Sequence, residues 1–263
     1  MNELHLSIVI PAFNEQERLP STLKEIVAYL SRRPGASEII VVDDGSSDAT
    51  AAVAAECLRP LGERGRVLRQ DVNRGKGASV QRGMLAARGE LVLFSDADLS
   101  TPIEELETLE AAVAAGAHVA IGSRAIDRTL IERRQRLGRE VSGRVFNWLV
   151  RRVLLGGIRD TQCGFKLFAR NCVQPIFTRQ RIVRFGFDVE VLAIARALGF
   201  VIAERPVRWR NHPDSRVDFS GGLLAFLDPL RVRVWLRLGR YDEPCTNLPE
   251  GTMQSDLFKR GLP

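Results

Sequence analysis

The chain has few of the residues that staple or anchor small proteins. Its four cysteines, Cys57, Cys163, Cys172 and Cys245, form no CxxC pair, and no histidine is spaced to complete a metal site with them. That argues against a disulfide scaffold or a zinc module and leads us to expect four free thiols in a reducing cytosol. Aromatic residues make up only 6% of the 263 residues and are not interleaved with the basic runs, which disfavours a nucleic-acid-binding module. Long apolar runs are missing too. The stretch from Ala111 to Ser123 is charge-free but contains Gly116 and His118, and it is far shorter than the roughly 20 residues a spanning helix needs. Met1-Asn2-Glu3-Leu4-His5 lacks the basic start of a targeting segment, so any membrane contact is expected to be peripheral.

Two glycine-rich nucleotide motifs are also absent. Gly75-Lys76 hints at a phosphate-binding loop, but that loop needs a glycine at position 70, which is Gln. A dinucleotide fingerprint would follow the first strand, where this chain has Pro11-Ala12-Phe13-Asn14-Glu15 and no glycine.

What is present is positive charge and a regular alternation. A net charge of +6 points to an anionic partner such as a nucleotide or an acidic membrane surface. Short runs rich in Val, Ile and Leu at 6–10, 38–42, 67–70, 91–94 and 119–122 read as strands, separated by helical patterns and short turns. This predicts an α/β fold with a mostly parallel sheet and helices on both faces over residues 4–124. Asn14 with Glu17, and Thr101-Pro102 with Glu104, read as helix starts closed by capping boxes. Beyond 124 the alternation breaks. A long helical pattern over 133–155 carries seven arginines and one acid, and 222–238 is again apolar and basic, interrupted at Pro229.

The candidate site lies at the strand ends. Asp96 and Asp98 follow the fourth strand, where open α/β sheets bind ligands. Two carboxylates at that spacing suit a hard cation, Mg²⁺ or Mn²⁺, shared with substrate phosphates. The simpler alternative is a strand-end Asp that caps the next helix.

Six motifs in order narrow the reading: Ile8–Glu15, Val41–Asp48, Asn73-Arg74-Gly75-Lys76-Gly77, Ser95-Asp96-Ala97-Asp98, Asp160–Lys166 and Phe187-Asp188-Val189-Glu190. Over about residues 5 to 218 they resemble inverting family-2 glycosyltransferases of the GT-A fold. The similarity is to the branch making polyprenyl-phosphate sugars, the dolichyl-phosphate glucosyltransferases first and the mannose synthases next. The resemblance implies a GT-A domain at 1–218, and composition adds a basic amphipathic membrane-interface segment at 219–240 and a polar, flexible tail at 241–263. It implies transfer of glucose from UDP-glucose to a polyprenyl or dolichyl phosphate with inversion. The alternatives are a GDP-mannose donor, or a protein or glycan hydroxyl acceptor with Asp188 as base.

Under this resemblance Asp96 and Asp98 hold the metal, and Asp98, Arg124 and Asp188 are the catalytic set. Pro11, Ala12, Phe13, Asn14 and Glu15 wall the base and ribose, and Asp43 accepts from the uracil N–H. Asp44, Asn73, Gly75, Lys76 and Ala97 complete the nucleotide-sugar site. A phosphate monoester is largely dianionic near neutral pH, so the acceptor needs cations rather than a strong base. Arg124 and Arg139 are the candidates. The basic helices, with Trp148 and Trp235 at headgroup depth, would place the enzyme peripherally at the cytoplasmic face of an anionic membrane.

Overall fold

A computed structural model describes residues 4–133, 137–210 and 227–245. Seven strands form one sheet: β1 (Leu4–Ala12), β2 (Ala36–Asp43), β3 (Gly65–Arg69), β4 (Leu91–Ser95), β5 (Val119–Ser123), β7 (Phe165–Ala169) and β8 (Ile202–Pro206). Their order is β3-β2-β1-β4-β7-β5-β8. Every pairing is parallel except those of β7, which runs antiparallel to both β4 and β5. A short parallel pair, β6 (Ile131–Arg133) and β9 (Trp209–Arg210), forms a second sheet.

The central strands are apolar on both faces because helices cover both. Ile8, Ile10, Ile39 and Val41 face a core with α1 (Leu19–Leu30), α2 (Thr50–Leu58) and α4 (Leu106–Ala114). Val9, Ile40, Val42 and Phe94 face the opposite core, with α3 (Lys76–Ala86), α5 (Leu137–Val153), α6 (Arg170–Phe177), α7 (Phe187–Ala197) and α8 (Asp228–Arg237). In α1, Leu19, Leu23 and Ile26 are spaced four and three residues apart, so all three fall on the buried stripe.

The reversed strand matters for the site. In a parallel sheet only carboxyl ends gather on the ligand-binding rim. Because β7 is antiparallel, with Ser95 opposite Phe165, its amino end joins them. The loop 160–164 therefore lies beside Asp96, whose N–H donates to the Gly164 carbonyl at 3.0 Å.

Several local expectations are corrected. Asn14 starts no helix; it sits at φ 55°, and α1 begins at Leu19 with Pro20 in its first turn. The Asn14 side chain instead accepts from the Ser47 N–H at 3.0 Å, tying the ends of β1 and β2 together. No capping box forms at Thr101. A 3-10 turn spans Ile103–Glu105, and the Thr101 hydroxyl lies 3.7 Å from the Cys163 sulfur. Pro229 does not interrupt a helix but sits in the first turn of α8, where its missing N–H costs nothing. The tail expected from 241 begins with an anchored segment, since Tyr241 is 4% exposed; residues 246–263 lie outside the described residues. The expected boundary at 218 likewise falls outside them. All four cysteines are free.

Candidate active site

The carboxyl ends of β1, β2 and β4 supply the first layer. Asp43 closes β2 and is fully buried; its Oδ1 accepts from the Ser46 N–H at 3.2 Å. Its Oδ2 has no hydrogen-bond partner among the described residues, and the Arg69 Nε stands 3.4 Å away without hydrogen-bond geometry. A buried, unsatisfied carboxylate oxygen invites a ligand N–H. Asp44, beside it, is spoken for. It accepts from the Arg74 and Gly75 N–H groups and the Gln70 amide at 2.7–2.9 Å, fixing the turn that presents Lys76. Phe13 is 42% exposed at the end of β1, above buried Pro11 and Ala12, while Glu15 pairs with Arg18. Asn73 is exposed on the turn before Gly75.

The second layer is a charge cluster around Phe94. The Lys76 Nζ lies 2.6 Å from Asp96 Oδ1 and 5.4 Å from the centre of the Phe94 ring. The Lys166 Nζ lies 2.5 Å from Asp188 Oδ1, donates to the Cys163 carbonyl at 2.6 Å, and shares the same ring at 5.7 Å. Burial disfavours the charge on Lys76, yet Asp96, Asp188 and Asp98 together hold its pKa above the ordinary lysine value. Burial pushes the Asp96 carboxyl upward; Lys76 opposes that, and Asp98 and Asp188 add to it. Three carboxylates and two lysines thus share one small region. Asp98 is held by a tight turn in which its Oδ1 accepts from the Ser100 N–H at 3.0 Å. Leu99 takes φ 46° to make that turn, a conformation that costs an L-residue about 1–2 kcal/mol. Ala97 is buried beneath it, its carbonyl bonded by Thr22. Ser95, Asp96, Leu99, Ser100, Thr101, Gly164 and Trp209 line a pocket here. A Cβ on Gly164 would stand 1.9 Å from Asp96 Oδ2, so only glycine fits against that carboxylate.

Among the described residues no group of three or more potential ligands forms. Asp96 and Asp98 are the two carboxylates at the end of β4 that could hold a hard divalent cation. Magnesium shared with substrate phosphates needs no larger protein donor set.

Arg124, just past β5, forks onto Asp160 with contacts of 2.6 and 2.9 Å and lies over the Trp209 ring. Burial would raise the Asp160 carboxyl; Arg124 overrides it and holds it at about 2. Arg139 lies in α5, and its side chain lies outside the described residues. The site residues read from the sequence leave out Lys166, Asp160 and Trp209. Asp160 and Lys166 did carry a signal, since they bound the motif Asp160–Lys166, while Trp209 carried none.

The sheet order and its rim of strand-end carboxylates are those of the GT-A architecture. Among solved structures, the glucosyl-3-phosphoglycerate synthase of Mycobacterium tuberculosis in complex with UDP matches with TM-score 0.65 at 22% identity, over 92% of this chain and 82% of that one. The mannosyl-3-phosphoglycerate synthase of Rubrobacter xylanophilus matches with TM-score 0.64 at 21% identity, over 90% and 76%. The family model described as Glycosyl transferase family 2 matches residues 7–177. The dolichyl-phosphate beta-glucosyltransferase of Drosophila melanogaster is 41% identical over 90% of this chain and 73% of its own, and the human protein of that name 37% over 87% and 75%. The chain belongs to glycosyl transferase family 2, in the branch of the dolichyl-phosphate β-glucosyltransferases, and is a glycosyltransferase.

Proposed function

We propose that the enzyme transfers glucose from UDP-glucose to a polyprenyl phosphate of the dolichyl type, with inversion at the anomeric carbon. The observation that carries the acceptor reading is the Lys166–Asp188 ion pair. Asp188, at the family position where a hydroxyl acceptor would need a base, is here paired with a buried cation, Lys166. A lipid phosphate, already anionic, needs no such base. The names of the relatives support the same acceptor and sugar. For the donor, the Asp43 oxygen that lacks a hydrogen bond suits the N–H of a pyrimidine base, and exposed Phe13 suits the face of its ring.

Lys76 and Lys166 neutralise negative charge next to the leaving diphosphate, and Asp188 orients Lys166. Asp96 and Asp98 would hold Mg²⁺ or Mn²⁺, which offsets the charge developing on the departing nucleoside diphosphate. The M. tuberculosis neighbour was solved with Mn²⁺ and UDP-glucose. Arg124, anchored by Asp160, offers its remaining N–H groups to the acceptor phosphate. The donor half is tested by thermal shift. UDP is expected to raise the melting temperature more than GDP, ADP or CDP, and more with Mn²⁺. Equal shifts with GDP would move the donor to GDP-mannose.

The same reading places the enzyme at the cytoplasmic face of a membrane. No helix among the described residues is long and apolar enough to cross one. Trp148 on α5 is 60% exposed, and Leu230 and Val234 on α8 are exposed among Arg231, Arg233 and Arg237. Trp235 does not join them, because it packs edge-on against Tyr241 at 6.2 Å. Binding to anionic liposomes that weakens with salt and with Trp148→Ser is expected; equal binding to neutral liposomes in high salt would contradict it.

A further inference from the structure

The last described stretch, 238–245, lies beyond the residues that the family model matches, yet it is tied into the framework of the site. Its anchor is a buried carboxylate with no part in the chemistry above. Glu190, on α7 two residues past Asp188, is fully buried. Its Oε1 accepts from the Arg181 N–H at 3.0 Å and the Tyr241 hydroxyl at 2.8 Å, and its Oε2 from the Ile182 N–H at 2.8 Å. Arg181 reaches the Arg240 carbonyl at 2.6 Å, Arg179 reaches those of Tyr241 and Asp242 at 2.8 and 3.1 Å, and the Cys245 N–H donates to Thr178 at 2.8 Å.

The segment 180–184, held against the C-terminal stretch in this way, lies directly on the turn that carries Lys76. A Cβ on Gly75 would come within 2.5 Å of the Val183 carbonyl oxygen, and one on Gly77 within 2.6 Å of that of Ile182. The Ala78 N–H donates to Val183 at 3.0 Å, and the Gln180 amide donates to the Gly77 carbonyl at 2.9 Å. At Gly75 and Gly77 the nearest approach is therefore backbone on backbone, too close to absorb a shift. A displacement of 180–184 must displace the turn.

We propose that Glu190 and Tyr241 are positioning residues: they clasp the segment 180–184 against the Gly75–Gly77 turn, so that the C-terminal segment sets the reach of Lys76. The proposal rests on the reading of Lys76 as a donor-site residue. Burial pushes the Glu190 carboxyl up to about 7, with nearby Asp228 adding to the rise. The donors on Ile182, Tyr241 and Arg181 pull it down. Each of those donors therefore bears on how firmly the segment is held.

The test is amide hydrogen exchange on the full chain carrying Tyr241→Phe, which deletes one hydroxyl and keeps the ring that packs on Trp235. The Ala78 amide is expected to exchange about tenfold faster, the scale of a lost hydrogen bond to a charged group. The amides of Ile40 and Leu93 in the central sheet should keep their wild-type rates. Arg179→Ala, which releases Tyr241 and Asp242 at the surface, should act in the same direction. In transfer assays, the KM for the nucleotide sugar should rise about tenfold with the KM for the acceptor unchanged, as expected of lost donor binding. Wild-type exchange at Ala78 in both variants would overturn the clasp, and so would equal acceleration at Ile40 and Leu93. The exchange arm needs no substrate, so a failure of the proposed transfer reaction leaves it decisive.

Discussion

Lys76→Met removes the ammonium that stands 2.6 Å from Asp96 while keeping most of the stem that lies near Phe94. In the free protein this lysine neutralises Asp96, one of the two carboxylates that would hold a cation. A pair of unit charges 4 Å apart interacts by about 4 kcal/mol at an effective dielectric of 20. Both side chains are roughly 30% exposed, so solvent screening reduces the figure to about 1–2 kcal/mol. The substitution should therefore tighten Mn²⁺ binding to the nucleotide-free protein about tenfold, since 1.4 kcal/mol is a factor of ten. UDP should bind more weakly in the same variant, because a cation that would face its phosphates is gone. Titration of Mn²⁺ followed by electron paramagnetic resonance, which reads the free aquo ion, measures the first effect without turnover. Unchanged or weaker Mn²⁺ binding in Lys76→Met would refute the claim that Lys76 and the metal compete for Asp96.

Arg124→Ala should destabilise the fold as well as impair acceptor use. It leaves buried Asp160 unpaired, a loss on the order of 3 kcal/mol, visible as a lower denaturant midpoint. Arg124→Lys should recover most of that stability but not the transfer rate, because lysine lacks the fork. Glu190 gives a pH signature. Its carboxyl titrates near 4.5 when unfolded and at about 7 when folded, so the folded state holds the extra proton between those values. Stability should therefore fall as pH rises from 4.5 through 7, by up to about 3 kcal/mol, and Glu190→Gln should flatten that slope in melting curves.

The rim carboxylates were legible because a strand followed by polar residues and a new helix leaves few places for Asp43, Asp96 and Asp98 to go. The central strands were legible because they are buried on both faces and so mostly apolar, as in Ile8–Ile10 and Leu91–Phe94. The partners were not. Lys166 meets Asp188 across 22 residues, and Arg124 meets Asp160 across 36; neither spacing has a local period. The reversal of β7 depends on which strands it enters between, which its own five residues do not encode. Helix α6 has no counterpart in the sequence reading, and Pro175 lies inside it. The helix start read at Asn14 failed because its side chain caps the β2 loop instead, a contact 33 residues away.

The most direct measurement is transfer of labelled sugar from a panel of nucleotide sugars to polyprenyl phosphate, with product extracted into organic solvent. Label should enter the organic phase from UDP-glucose, only with Mg²⁺ or Mn²⁺, and Asp98→Ala should lose it by orders of magnitude while melting normally. Extraction of label from GDP-mannose instead, full activity in chelator, or transfer only to a hydroxyl acceptor would contradict the account.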